Sequence, residues 1–189
     1  MKKTLLFLLF SQVVMSSVAM AMNYELSVSY ARKKNSFDQD NYLETESATG
    51  SVSLYFTEKV ALELSYTDAK ATRNEKPPAG TASEVFQKTE VLGADLILIL
   101  MDRKSWIQPY IKGGAAQLKR TQTTYLESSN TTIRLPIETA VVPSYGAGLK
   151  FILTQTLSLR LSYDAWRTPV GGGSSTDDTQ IRAGISWML

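Results

Sequence analysis

The sequence predicts an all-β protein: an eight-stranded antiparallel up-and-down transmembrane β-barrel preceded by a cleaved signal peptide. Three observations predict it. Apolar and polar residues alternate with a period of two through most of the chain after residue 22, the mark of strands with two unlike faces. The connections between these runs are short and long in turn. The first 21 residues have the build of an export signal.

The leader comes first. Lys2 and Lys3 precede an apolar run over residues 5–14, and Ala19-Met20-Ala21 supplies small residues at a cleavage site, so the mature chain is expected to begin at Met22. An uncleaved membrane anchor is the alternative reading, but a spanning helix needs roughly 20 apolar residues and this run is shorter. No Cys follows the site, which excludes lipoprotein processing. The expected domains are a signal peptide over 1–21 and a barrel over 22–189, exported beyond the bacterial inner membrane.

Strands follow at roughly 23–31, 43–56, 60–69, 84–100, 106–119, 137–152, 157–166 and 179–189. In Val60-Ala61-Leu62-Glu63-Leu64-Ser65-Tyr66, one face carries Val60, Leu62, Leu64 and Tyr66 and the other Ala61, Glu63 and Ser65. Residues 157–163 and 24–30 repeat this grammar. Short connections fall at 57–59, 101–105 and 153–156, and long polar ones at 32–42, 70–83, 120–136 and 167–178. A meander brings every second connection to the same end, so one rim has tight turns and the other long loops. Short periplasmic turns and longer extracellular loops are the pattern of membrane barrels.

A soluble β-sandwich or lipocalin-like barrel would alternate in the same way, with its apolar face inward. In a membrane barrel the apolar face meets lipid and the polar face fills the lumen. The inverted assignment is favoured by aromatic residues at the strand ends of the apolar face, Tyr24, Tyr30, Tyr66, Tyr163 and Trp187, as in interfacial girdles. The opposite faces carry Ser, Thr, Gly and isolated charges, not the dense Lys and Glu of a solvated sheet.

Composition narrows the function. The 189 residues include 20 Lys+Arg and 18 Asp+Glu, and removal of Lys2 and Lys3 leaves 18 basic against 18 acidic side chains. A neutral mature chain gives no electrostatic case for nucleic acid. Zero Cys removes thiol nucleophiles, disulfides and Cys-type zinc sites, and zero His removes the commonest general base and the Ser-His triad. No cofactor or metal set is expected, and Asp177 and Asp178 alone lack the spacing of a Ca²⁺ site and are expected to be solvated.

The last strand, Ile181-Arg182-Ala183-Gly184-Ile185-Ser186-Trp187-Met188-Leu189, alternates strictly and ends on an apolar residue. It resembles the terminal strand by which outer-membrane barrels are recognised by their assembly machinery, with Ile185, Trp187 and Leu189 as the assembly signal. That family usually ends in Phe, where this chain has Leu189. Pro109-Tyr110-Ile111-Lys112-Gly113-Gly114-Ala115 and Ser144-Tyr145-Gly146-Ala147-Gly148-Leu149-Lys150 are similar to Gly-rich strands of small surface antigens of the OmpA, OmpX and opacity-protein type. Gly on the inner face leaves room for bulky neighbours. A phosphate-binding reading of Gly-x-Gly fails because no helix follows it. The resemblance implies an outer-membrane surface protein with a structural or adhesion-like role. Its implied partners are outer-membrane lipid and lipopolysaccharide, the assembly machinery and an unidentified extracellular ligand. OmpW-like barrels suggest a narrow channel for small or apolar solutes as the alternative. The lipid-modifying barrel enzymes use a His, which this chain lacks, so no enzyme and no catalytic residues are expected.

With Leu, Val and Tyr facing lipid, the inward set includes Glu25, Glu63, Asp95, Lys112, Lys150, Arg160, Asp164 and Arg182. Both signs recur at similar depths, and unpaired buried charge is costly, so these residues are expected to pair as a structural plug. A conduction gate is the competing reading. The long loops are where a partner would bind. Gly171-Gly172-Gly173 should make the last one the most flexible, and Phe37, Tyr125, Leu126 and Ile133 are the large apolars among them.

Overall fold

A computed structural model describes residues 23–36, 42–75, 83–102, 104–126, 131–134, 138–170 and 174–189. The strands are β1 (Asn23–Ser36), β2 (Tyr42–Tyr55), β3 (Val60–Glu75), β4 (Ser83–Ile99), β5 (Ile107–Leu126), β6 (Thr131–Arg134), β7 (Glu138–Ile152), β8 (Leu157–Val170) and β9 (Ser174–Met188). Eight of them close a barrel of antiparallel neighbours, β1 pairing with β9 at one seam and β4 with β5 at the other. β6 is a four-residue strand that adds only to the far end of β5.

The eight-stranded meander of the sequence reading is therefore present, with one difference at its long-loop end. β3 runs to Glu75, β5 to Leu126, and β9 starts at Ser174, so much of what reads as polar loop is paired strand. Loss of apolar alternation does not end a strand whose both faces meet water. The ladder continues on cross-strand charge pairs such as Arg32 with Glu44 at 2.5 Å and Lys88 with Asp68 at 3.2 Å. Phe37 and Gly171-Gly172-Gly173 lie outside the described residues, as does the expected leader.

The opposite rim is tight. Thr57 Oγ1 accepts the backbone N–H groups of Lys59 and Val60, and Thr154 Oγ1 accepts those of Thr156 and Leu157, so two turns use the same local device. Lys59 lies 2.7 Å from Asp102 of the third turn and holds that carboxyl below its usual range, through a hydrogen bond first and its charge second.

The outer face is apolar and exposed: Leu26, Val28, Leu64, Leu96, Leu159, Leu161 and Ile185 all face away from the barrel. Tyr24, Phe56, Trp106 and Trp187 ring it toward the tight-turn rim, and Tyr30, Tyr66, Tyr145 and Tyr163 ring it toward the other. Leu64 is 49% exposed while Glu63, its chain neighbour, is 2% exposed. In water that arrangement would be inside out. In a bilayer it places hydrocarbon against hydrocarbon and aromatic rings at both interfaces.

The interior has three layers. Tyr55, Ala61, Ile97, Ile99 and Tyr110 form an apolar layer by the tight turns, with Met188 packed against it. Val91, Ala116, Leu118, Val142 and Trp166 form a second toward the long hairpins. The inward charges lie between and beside these clusters, Lys150 being nearer the tight turns than Tyr110.

Candidate functional site

The inward charges are divided by strand. Glu25 on β1, Glu63 on β3 and Asp95 on β4 supply carboxylates from one side, whereas Lys112 on β5, Lys150 on β7 and Arg182 on β9 supply cations. β8 carries one of each, Arg160 and Asp164. Four carboxylates face four cations, so the interior set is neutral.

Because the signs come from different walls, the pairs tie the barrel across its lumen. At the level nearest the tight turns, Lys150 donates to Glu25 Oε2 at 2.6 Å, and the Tyr55 hydroxyl donates to the same oxygen at 2.6 Å. Arg160 Nη1 reaches Glu63 Oε2 at 2.5 Å, while its Nε donates to the Tyr110 hydroxyl at 2.7 Å and its guanidinium stacks 4.7 Å from that ring. Lys112 joins three carboxylates: Asp164 at 2.7 Å, Glu63 at 3.0 Å and Asp95 at 3.5 Å. Arg182 closes the network 3.4 Å from Asp164 and 5.8 Å from the Trp166 ring. Hydroxyls fill the remaining acceptor sites, with Ser162 donating to Asp164 at 2.9 Å, Ser144 to Asp95, and Ser51 and Ser53 to Glu63.

Glycine makes this packing possible. A Cβ on Gly146 would sit 3.0 Å from Asp164 Oδ1 and 3.2 Å from the Lys112 stem, and one on Gly148 would strike the Tyr110 hydroxyl and the Leu161 carbonyl. Gly113, by contrast, faces outward and is spaced by no such contact. The free volume beside the network is about 20 Å³, bordered by Asp95, Lys112, Asp164, Trp166 and Arg182, room for about one water molecule.

The structure places all eight charges singled out in the sequence in the lumen, six in one connected set of ion pairs and Glu25 with Lys150 in a separate pair. Alternation alone did not reveal Tyr55, Tyr110 and Trp166, the aromatic partners, or the two apolar layers. A signal was present: over Leu96-Ile97-Leu98-Ile99 both faces of β4 are apolar, so alternation fails where the inward face joins a dry layer. Ile185, Trp187 and Leu189 line the outward face of β9, and Leu189 N–H donates to the Tyr24 carbonyl at 2.8 Å, beside the β1–β9 seam.

Beyond the upper girdle the hairpins are laced by charge. Arg167 pairs with Asp177 at 3.3 Å and Arg120 with Asp178 at 3.0 Å. The two acids expected to be solvated are part-exposed and also ion-paired: strand pairing sets Asp177 opposite Arg167, while Arg120 reaches Asp178 from β5, a strand that does not pair with β9. Tyr125 and Ile133 are exposed on β5 and β6. Among the described residues no group of three or more carboxylate, His or Cys side chains is arranged to hold a metal ion.

A closed antiparallel barrel with an apolar exterior, two aromatic girdles and a charged interior is a transmembrane barrel of the bacterial outer membrane. The chain belongs to the family described as the outer membrane protein beta-barrel domain, whose model matches residues 4–188. Solved structures agree on the fold. OprG of Pseudomonas aeruginosa matches with a TM-score of 0.58 at 12% identity, covering 89% of this chain and 96% of that one. Ail, the attachment invasion locus protein of Yersinia pestis, solved with the heparin analogue sucrose octasulfate, matches at 0.55 and 14% identity over 90% of this chain and 100% of that one. The N-terminal barrel domain of OprF of Pseudomonas aeruginosa matches at 0.54 and 17% over 88% and 97%. No curated protein matches the chain by sequence.

Proposed function

We propose that this protein is a closed-lumen surface scaffold that acts through its extracellular hairpins in an adhesion-like or envelope-organising role, and is neither an enzyme nor a conduit. The observation that carries this reading is the filled interior. Two apolar clusters flank a neutral ion-pair network, and the pocket beside Lys112 and Asp164 has space for about one water, which supports reading the lumen as part of the wall and the solvent-exposed hairpins as the interacting part. Paired strands that run on as far as Glu75 and Leu126 carry the described part of those hairpins well beyond the apolar band. Similarity in fold to Ail, the attachment invasion locus protein solved with the heparin analogue sucrose octasulfate, supports testing a surface ligand first.

Shortening the hairpins decides the matter. Replacing residues 72–86 by a tight turn, and separately residues 121–139, should leave a heat-modifiable barrel in the outer membrane while lowering attachment of bacteria to immobilised sulfated polysaccharide or to epithelial cells. Attachment equal to wild type with both hairpins removed would overturn the surface-interaction reading. A narrow channel is the second reading, favoured by the polar middle layer, and is separated from the first by conductance.

A further inference from the structure

The outer wall is not uniform. A shallow depression of about 860 Å³ crosses it between Leu26 and Val28 on β1 and Val141 on β7. Its depth comes from small outward residues, Gly50, Ala94 and Ala115, set among Val52, Leu64, Tyr66 and Leu92. A Cβ on Gly50 would meet nothing within 4 Å, so the space there is open and not filled by a neighbour.

Directly above it, toward the long-hairpin rim, the same strands carry an unusual charge pattern. Two steps beyond Tyr66 and Leu92 on the outward face stand Lys70 and Lys88, Cα partners across the β3–β4 ladder, and Lys119 follows Gln117 on β5. Like charges directly opposite each other are unfavourable unless an anion sits with them. Lys88 is engaged by Glu90 at 2.9 Å and Asp68 at 3.2 Å, and Lys119 stands 3.5 Å from Glu90. Lys70 has no ion-pair partner among the described residues, because Glu46, its Cα partner on β2, turns to Arg32 at 3.4 Å. Three amines on three adjacent strands therefore face two carboxylates.

We infer that this wall is a binding site for a phosphorylated acyl glycolipid of the outer leaflet, with acyl chains in the depression and phosphates on Lys70 and Lys119. The long-hairpin rim is the extracellular one, so the amines lie at the outer-leaflet headgroup level. Tyr66 marks the interface between chain and headgroup. Lys70 and Lys119 are two strand spacings and two residues of register apart, about 12 Å between backbone positions, a span that suits two phosphates on one disaccharide better than the single phosphate of a glycerophospholipid.

Native mass spectrometry of the full mature protein, extracted in neutral detergent, tests the site with three added probes. These are a bisphosphorylated, multiply acylated glucosamine disaccharide, its dephosphorylated counterpart, and phosphatidylglycerol. Wild type should retain the first preferentially. Lys70→Gln and Lys119→Gln should each weaken it about fivefold, with no change for the dephosphorylated probe. Gly50→Leu with Ala94→Leu, which fills the depression, should weaken both glycolipids. Equal retention of all three probes, unchanged binding by the lysine variants, or a dimer of the chain that forms in place of the lipid complex would overturn the inference. The lysine variants lie outside the membrane core and decide it alone if the filled-wall variant does not fold.

Discussion

Lys112 holds three carboxylates that would otherwise repel one another, yet they do not depend on it equally. Glu63 also has Arg160, and Asp164 also has Arg182. Among the described residues, Asp95 has Lys112 as its ion-pair partner and otherwise only a hydroxyl, that of Ser144. Lys112→Met should therefore leave Asp95 as the uncompensated charge and lower stability by about 3–5 kcal/mol, as removal of one partner from a buried pair does. Adding Asp95→Asn should recover much of that loss, whereas adding Glu63→Gln should recover less because Arg160 would then be orphaned. Urea unfolding in lipid vesicles, followed by heat-modifiable mobility, measures all of these. Equal rescue by both second substitutions would contradict the assignment. The charges themselves were legible in the sequence because each occupies a polar slot in an alternating strand. Most of their partners were not. Asp95 and Lys112, at similar distances from their shared turn, do meet at 3.5 Å, but the shortest contact of Lys112 is with Asp164 three strands along the chain. Which charges meet across a lumen depends on shear and tilt, which no local pattern contains.

At the scale of the strand, position relative to the girdle sets the cost of a charge. Leu64 and Thr72 lie on the same outward face of β3, the first within the apolar band and the second beyond Tyr66. Leu64→Arg should cost about 2–4 kcal/mol if its site is near the bilayer midplane, and Thr72→Arg close to nothing. The fraction of protein reaching the heat-modifiable form in membranes reads this directly, and equal assembly of the two variants would contradict the lipid-facing assignment. Strand centres were legible because the bilayer imposes period two there. Strand ends at the long-hairpin rim were not, since residues 70–75 and 120–126 carry polar side chains on both faces and are kept extended by their partners. Inward-facing Ile97 and Ile99 on β4 show the converse. Their strand stays regular although its alternation is lost, because the lumen ends in an apolar layer at that depth.

As a whole molecule the barrel inverts the usual order of a globular protein, with hydrocarbon outside and charge within. That inversion was legible in the sequence, because the aromatic residues closing the apolar runs belong at an interface and have no reason to cluster so in water. The gathering of inward apolar residues into two clusters was not legible, since each is assembled from residues on several strands. In the closed-scaffold proposal, Tyr55, Ile97 and Tyr110 on one side and Val91, Leu118 and Trp166 on the other flank the network and, with its ion pairs, deny ions a hydrated route. The most direct test of the closed scaffold is single-channel recording of the purified wild-type barrel in a planar bilayer at high salt. A closed lumen predicts a silent bilayer containing folded protein. Reproducible ohmic steps from wild type, altered in size by Lys112→Met without a change in its unfolding midpoint, would contradict it and establish the network as a conduction path.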